Sequence, residues 1–147
     1  MPSKKTKGQA VVELALVLPI FIFVILGIFD FGRALHAWSN LNFQCMQAAR
    51  AATKRINPLL ARNLFTRSTH PSEDEVKSAF WKNKSPMMVA NDISGPVLSG
   101  VGDSSREVQI SASYRLNLIT PLLGNIVGGQ SKDGALVISA TARESKE

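Results

Sequence analysis

One carboxylate stands in an otherwise uncharged stretch: across residues 10–29 the sole charged side chain is Glu13. An ionised carboxylate in hydrocarbon costs roughly 2.5 kcal/mol or more on insertion scales unless it lies near the interface or meets a partner. Glu13 therefore pairs with a cation, snorkels toward headgroups or takes up a proton. A second charged pair, Asp30 and Arg33, closes the apolar run at i, i+3 spacing and can join across its exit. The other reactive side chains are scattered. His36 and His70 are far apart in sequence, and no Cys/His grouping has metal-ligand spacing. The GGQSKDG stretch at residues 128–134 lacks the G-x-x-x-x-G-K-[ST] pattern of a phosphate loop and reads as a turn. Glu73, Asp74 and Glu75 fall in an expected helix first turn, where acids favour the dipole. No enzyme, metal or cofactor is expected from such a set.

These side chains need elements to hold them. At about 1.5 Å per residue, a helix over residues 10–29 reaches about 30 Å, the thickness of a bilayer core. Pro19 removes one backbone hydrogen bond, to the Ala15 carbonyl, which membrane helices tolerate, and Gly27 is ordinary in them. Lys4, Lys5 and Lys7 crowd one flank, so the N-terminus is expected to stay cytoplasmic and the remainder to be translocated. A cleaved secretory signal is disfavoured: the apolar core exceeds roughly 15 residues, Glu13 interrupts it, and no A-x-A site follows before Trp38. The period then continues outward. Leu35, Trp38, Leu41, Cys45, Ala48 or Ala49, Ala52 and Ile56 recur at steps of three and four, which predicts one helix from about residue 9 to about residue 56, stopped by Asn57-Pro58.

The rest of the 147 residues suits a small head. A helical turn is expected over residues 59–65. Ser72 and Glu75 form a capping-box pattern ahead of Val76, Ala79 and Phe80, with Ser85-Pro86 as the stop. Val108, Ile110, Ala112, Tyr114 and Leu116 alternate with polar residues as in a half-buried strand. A Gly-Asp-Ser-Ser turn at residues 102–105 predicts a hairpin with a first strand over residues 91–99. Residues 119–129 read as a packed loop, and a third strand places Leu136, Ile138 and Ala140 inward. The expected class is α+β: a long N-terminal transmembrane helix continuing into a stem and packed against a small antiparallel sheet of about three strands.

Net charge is +6, and three of those charges are the leading lysines. Residues 31–72 hold Arg33, Arg50, Lys54, Arg55, Arg62 and Arg67 with no acid, a stretch that suits a solvated surface, lipid headgroups or nucleic acid. No nucleic-acid motif accompanies it, and no nucleic-acid partner is expected. The single cysteine, Cys45, excludes an internal disulfide and suits a small buried position on a helix, with intermolecular pairing the alternative.

With the helix placed, Gly8-Gln9-Ala10-Val11-Val12-Glu13 behind its lysines resembles a prepilin-like leader and cut site. The longer run GQAVVELALVLPIFIFVILGIFDFGRALH resembles the TadE-like family, the pseudopilins of tight-adherence (Tad/Flp) pilus systems, through Gly8, Glu13, Leu18-Pro19, Gly27, Asp30, Gly32 and Arg33. The resemblance is strong over residues 8–52 and weaker over the head. It implies cleavage after Gly8 by a prepilin peptidase, leaving Gln9 as the new N-terminus. Glu13 of one chain would then meet the Gln9 amine of another, so that each neutralises the other and subunit register is set. The organisation implied is a leader at 1–8, a transmembrane helix at 9–33, its outward continuation at 34–57 and an extracytoplasmic head at 58–147. Expected partners are the peptidase, other pilins or pseudopilins, an inner-membrane assembly platform and membrane lipid. Major pilins of such systems are far shorter, so the resemblance implies a minor subunit in the bacterial inner membrane; the competing expectation is a single-pass anchored periplasmic binding or scaffold module.

Overall fold

The computed structural model describes residues 5–54, 71–101, 106–120 and 135–146. In order along the chain these form α1 (Lys5–Thr53), α2 (Glu73–Lys82), a 3-10 turn (Ala90–Asp92), β1 (Ile93–Ser99), β2 (Glu107–Asn117) and β3 (Ala135–Ser145). The class is α+β, with one long apolar helix, a second helix and a three-stranded antiparallel sheet in the order β1-β2-β3. The chain divides into two compact units: Met1–Ala34 with Asn117–Leu136, and Leu35–Leu116 with Val137–Glu147. The expected turns at residues 59–65, 102–105 and 128–134, the Asn57-Pro58 stop and most of the loop at 119–129 lie outside the described residues.

In the first unit, α1 runs through Pro19 without ending. Val11, Leu14, Leu16, Phe21 and their neighbours are exposed, so this surface has no apolar cover among the described residues. The helix is long and apolar enough to cross a membrane. Its lack of cover is what lipid or neighbouring helices would satisfy.

The second unit holds the core. Ala37, Leu41, Cys45, Ala48, Ala49 and Ala52 form one buried arc of α1. The facing side chains of the sheet are Val108, Ile110, Ala112, Tyr114 and Leu116 from β2 and Ile138, Ala140 and Ala142 from β3, all buried. The period-2 reading of β2 holds along its whole length, and in β3 it holds at Ile138 and Ala140 while Leu136 is half-buried. Small residues on both surfaces let helix and sheet approach closely. The Cys45 thiol lies 3.8 Å from the Ala140 carbonyl, and burial pushes its pKa up to about 11 against a smaller opposing effect of a hydrogen bond with the Ala112 backbone.

That close approach corrects one part of the helical-face reading. Leu35 and Trp38 are about half exposed, whereas Ala37 and Gln44 take their place in the buried arc. From Leu41 to Ala52 the expected positions are the buried ones, and Ile56 lies outside the described residues. The arc is set by where the sheet meets alanine and cysteine, and an indole in that seam would hold the two surfaces apart.

α2 begins as its capping box predicts. The Glu75 amide donates to Ser72 Oγ at 3.3 Å and the Ser72 amide donates to Glu75 Oε2 at 3.2 Å. Val76 and Phe80 are buried, and Trp81 meets Phe80 edge-on with ring centroids 5.3 Å apart. The helix closes at Asn83, before Ser85-Pro86, because the Asn83 side chain donates to the Ala79 carbonyl at 2.8 Å. β1 pairs with β2 through Ile93 opposite Tyr114 and Leu98 opposite Ile110, with an irregularity between Ser94 and Val97. Gly95 sits there at φ 115°, where an added Cβ would stand 3.1 Å from the Ser111 carbonyl oxygen. Both the backbone angle and the close strand require glycine at this point.

Candidate functional site

Two carboxylates on α1 carry the chemistry of the first unit, and their surroundings differ. Glu13 lies on the first helical turns with its side chain exposed. Helical spacing puts Gln9 one turn before it, and the Gln9 carboxamide donates from Nε2 to Glu13 Oε1 at 3.3 Å. Around this pair the exposed side chains are Val11, Val12, Leu14 and Leu16. A carboxylate is thus set on an apolar helix surface, with one neutral hydrogen-bond donor among the described residues.

Asp30 follows about 25 Å further along the helix axis, by the ordinary rise of an α-helix. It is 2% exposed and enclosed by donors. Ile119 N donates to Oδ1 at 2.9 Å, Thr120 N donates to Oδ2 at 2.9 Å, and the Thr120 hydroxyl donates to Oδ2 at 2.6 Å. Arg33, one turn on, completes the set: its Nη1 lies 3.4 Å from Asp30 Oδ1 and 3.3 Å from the Asn117 carbonyl oxygen to which it also donates. The Asp30–Arg33 pairing read from i, i+3 spacing is present. The larger part of the arrangement is a clasp of residues 117–120 onto the helix. Two successive amides aimed at one carboxylate supply the partial charge that a buried anion needs.

The remaining sequence-picked positions are not gathered with these. Gly8 and Gly32 are exposed, and a Cβ added at either meets nothing within 4 Å. Neither glycine is required by packing among the described residues. Pro19 is exposed and Gly27 half-buried. The Asp30 clasp places Asp30 and Arg33 together, while Gly8, Gln9 and Glu13 share the start of the helix.

Three participants were not foreseen. Ile119, Asn117 and Thr120 stand 84 to 90 positions from their partners, so no local spacing marks them. Gln44 is fully buried in the second unit, its Nε2 3.6 Å from Met88 Sδ and its Oε1 without a partner among the described residues. A polar side chain flanked by Leu41 and Cys45 on the inward arc was its available signal.

Among the described residues no group of three or more His, Cys, Asp or Glu is placed to hold a metal ion. A shallow depression of about 290 Å³ on the outward face of the sheet is lined by hydroxyls, among them Ser94, Ser111, Ser113, Ser139 and Thr141, and by no charged or aromatic side chain. It offers neither a titratable group nor a stacking platform.

Residues 8–53 match the family model described as TadE-like protein, the same family that the motif resembles. The match opens on Gly8 and closes on Thr53, the last residue of α1. No curated protein and no solved structure matches the chain. Over these residues the chain is similar to TadE-like proteins, a structural family related to Tad pili.

Proposed function

From that TadE-like segment, we propose that the protein is a minor pilin-like subunit, a pseudopilin, for assembly of a Tad/Flp-type pilus or a related secretion machine. In this reading a prepilin peptidase cuts between Gly8 and Gln9, residues 9–33 hold the chain in the bacterial inner membrane with the N-terminus cytoplasmic, and the head stands outside the cytoplasm. Other pilins or pseudopilins, the inner-membrane assembly platform and lipid are its partners.

The observation that carries the reading is the family match beginning on Gly8, five residues ahead of a lone carboxylate on an uncovered apolar helix. Cleavage would place a cationic amine on Gln9 near the membrane surface. A neighbouring helix offset by about one turn would bring its Glu13 to that amine, and pairing removes the penalty of holding either charge alone. The open space at Gly8 agrees with a glycine kept for something outside the chain, as a peptidase cleft would demand.

Mass spectrometry of the membrane-extracted protein tests the maturation step. A mature terminus at Gln9 is expected in cells that carry the peptidase, and Gly8→Leu should block it. An intact leader in those cells would instead indicate the anchored binding or scaffold module. For assembly, Glu13→Ala is expected to leave cleavage and membrane residence in place while pilus formation drops; normal piliation in that variant sinks the pairing mechanism.

A further inference from the structure

The bond from Gln9 Nε2 to Glu13 Oε1 acquires a chemical consequence once residue 9 becomes a chain terminus. A glutamine with a free α-amine can close on itself. The amine nitrogen attacks the side-chain Cδ, an N–Cδ bond forms, the Cδ–Nε2 bond breaks, and ammonia departs with the proton that the amine gives up. No oxidant, metal or second reactant takes part. The product is a neutral five-membered lactam, so the terminal cation is lost. For a terminus whose task is to meet a neighbour's carboxylate, that loss removes the attraction and leaves Glu13 without a counter-charge on an apolar surface.

We propose that Glu13 guards the Gln9 terminus against this cyclisation. Reaching Glu13 sends the Gln9 carboxamide toward the following helical turn, whereas ring closure needs it folded back onto its own nitrogen; one side chain cannot do both. Glu13 then has two tasks for two oxygens. Oε1 holds the amide of its own chain, and Oε2, with no hydrogen-bond partner among the described residues, is left for the incoming ammonium. The inference rests on the proposed cut between Gly8 and Gln9. It adds that residue 9 is a modification site kept unmodified by the residue it serves.

The test follows the mature full-length chain in detergent by intact-mass and N-terminal-peptide mass spectrometry over time. Closure lowers the mass by one ammonia and abolishes amine labelling at residue 9. The wild-type terminus is expected to be open on isolation and to close slowly. Glu13→Ala should close about threefold faster, the size of one side-chain hydrogen bond at membrane depth. Glu13→Gln, which keeps an acceptor oxygen without the charge, should close at nearly the wild-type rate. A wild-type terminus already closed on isolation, or equal rates in wild type and Glu13→Ala, overturns the guard. Should residues 1–8 remain attached in cells, the maturation reading fails on its own; a chain released to begin at Gln9 by a site-specific protease still decides whether Glu13 slows closure.

Discussion

Glu13 and Asp30 are the two acids of one apolar helix, and they are provided for in opposite ways. Asp30 is enclosed by two backbone amides, a hydroxyl and a guanidinium, all from its own chain. Glu13 has a single carboxamide and otherwise faces outward. A carboxylate satisfied from within can only stabilise the fold. One left short of donors invites a cation from elsewhere. In the proposed reading the difference separates a residue that builds the subunit from one placed to join subunits, although the matched residues 8–53 contain both.

The comparison breaks most visibly at Asp30. Asp30→Ala strands two amides and a hydroxyl and should lower stability by about 3 kcal/mol, read from denaturant or thermal unfolding in detergent together with earlier proteolysis at residues 117–120. An unchanged midpoint would mean the clasp contributes nothing. Thr120→Val removes the 2.6 Å hydroxyl bond while keeping shape and both amides, with an expected loss of about 1 to 2 kcal/mol by the same measurement. Arg33→Gln touches the outer, 45% exposed partner, and a loss of about 0.5 kcal/mol is expected because solvent screens the pair. The smallest effect on folding belongs to Glu13→Ala, whose unfolding midpoint should match the wild type even as assembly fails. A Glu13→Ala chain that unfolds as early as Asp30→Ala would erase the distinction between the two acids.

Legibility followed sequence distance. The five inward residues of β2 alternate without exception, and the capping box at Ser72 is a four-residue pattern, so both could be read locally. The long helix announced itself through its apolar run. Leu35 and Trp38 misled because an apolar-rich helix offers several arcs at steps of three and four, and bulk does not tell which arc a sheet will meet. Here the small residues won, since Ala37, Cys45 and Ala48 permit the approach that Trp38 would prevent. Gln44 was passed over because a polar type on an inward arc contradicts the simple pattern. The Asp30 clasp is the clearest case of the limit: half of its donors are main-chain amides, which almost every residue possesses and no sequence can flag.

The same separation orders events in time. Asp30 emerges during synthesis 90 residues ahead of Thr120, an interval of about 5 to 20 s at ordinary elongation rates. For most of it the helix has been made through Thr53, while the carboxylate at position 30 must be served by water or headgroups. The clasp closes only when the last third of the chain arrives, so a truncated or stalled product carries its second acid bare. Asp30 is in that sense a completion mark, satisfied by chains that have been made at least through Thr120.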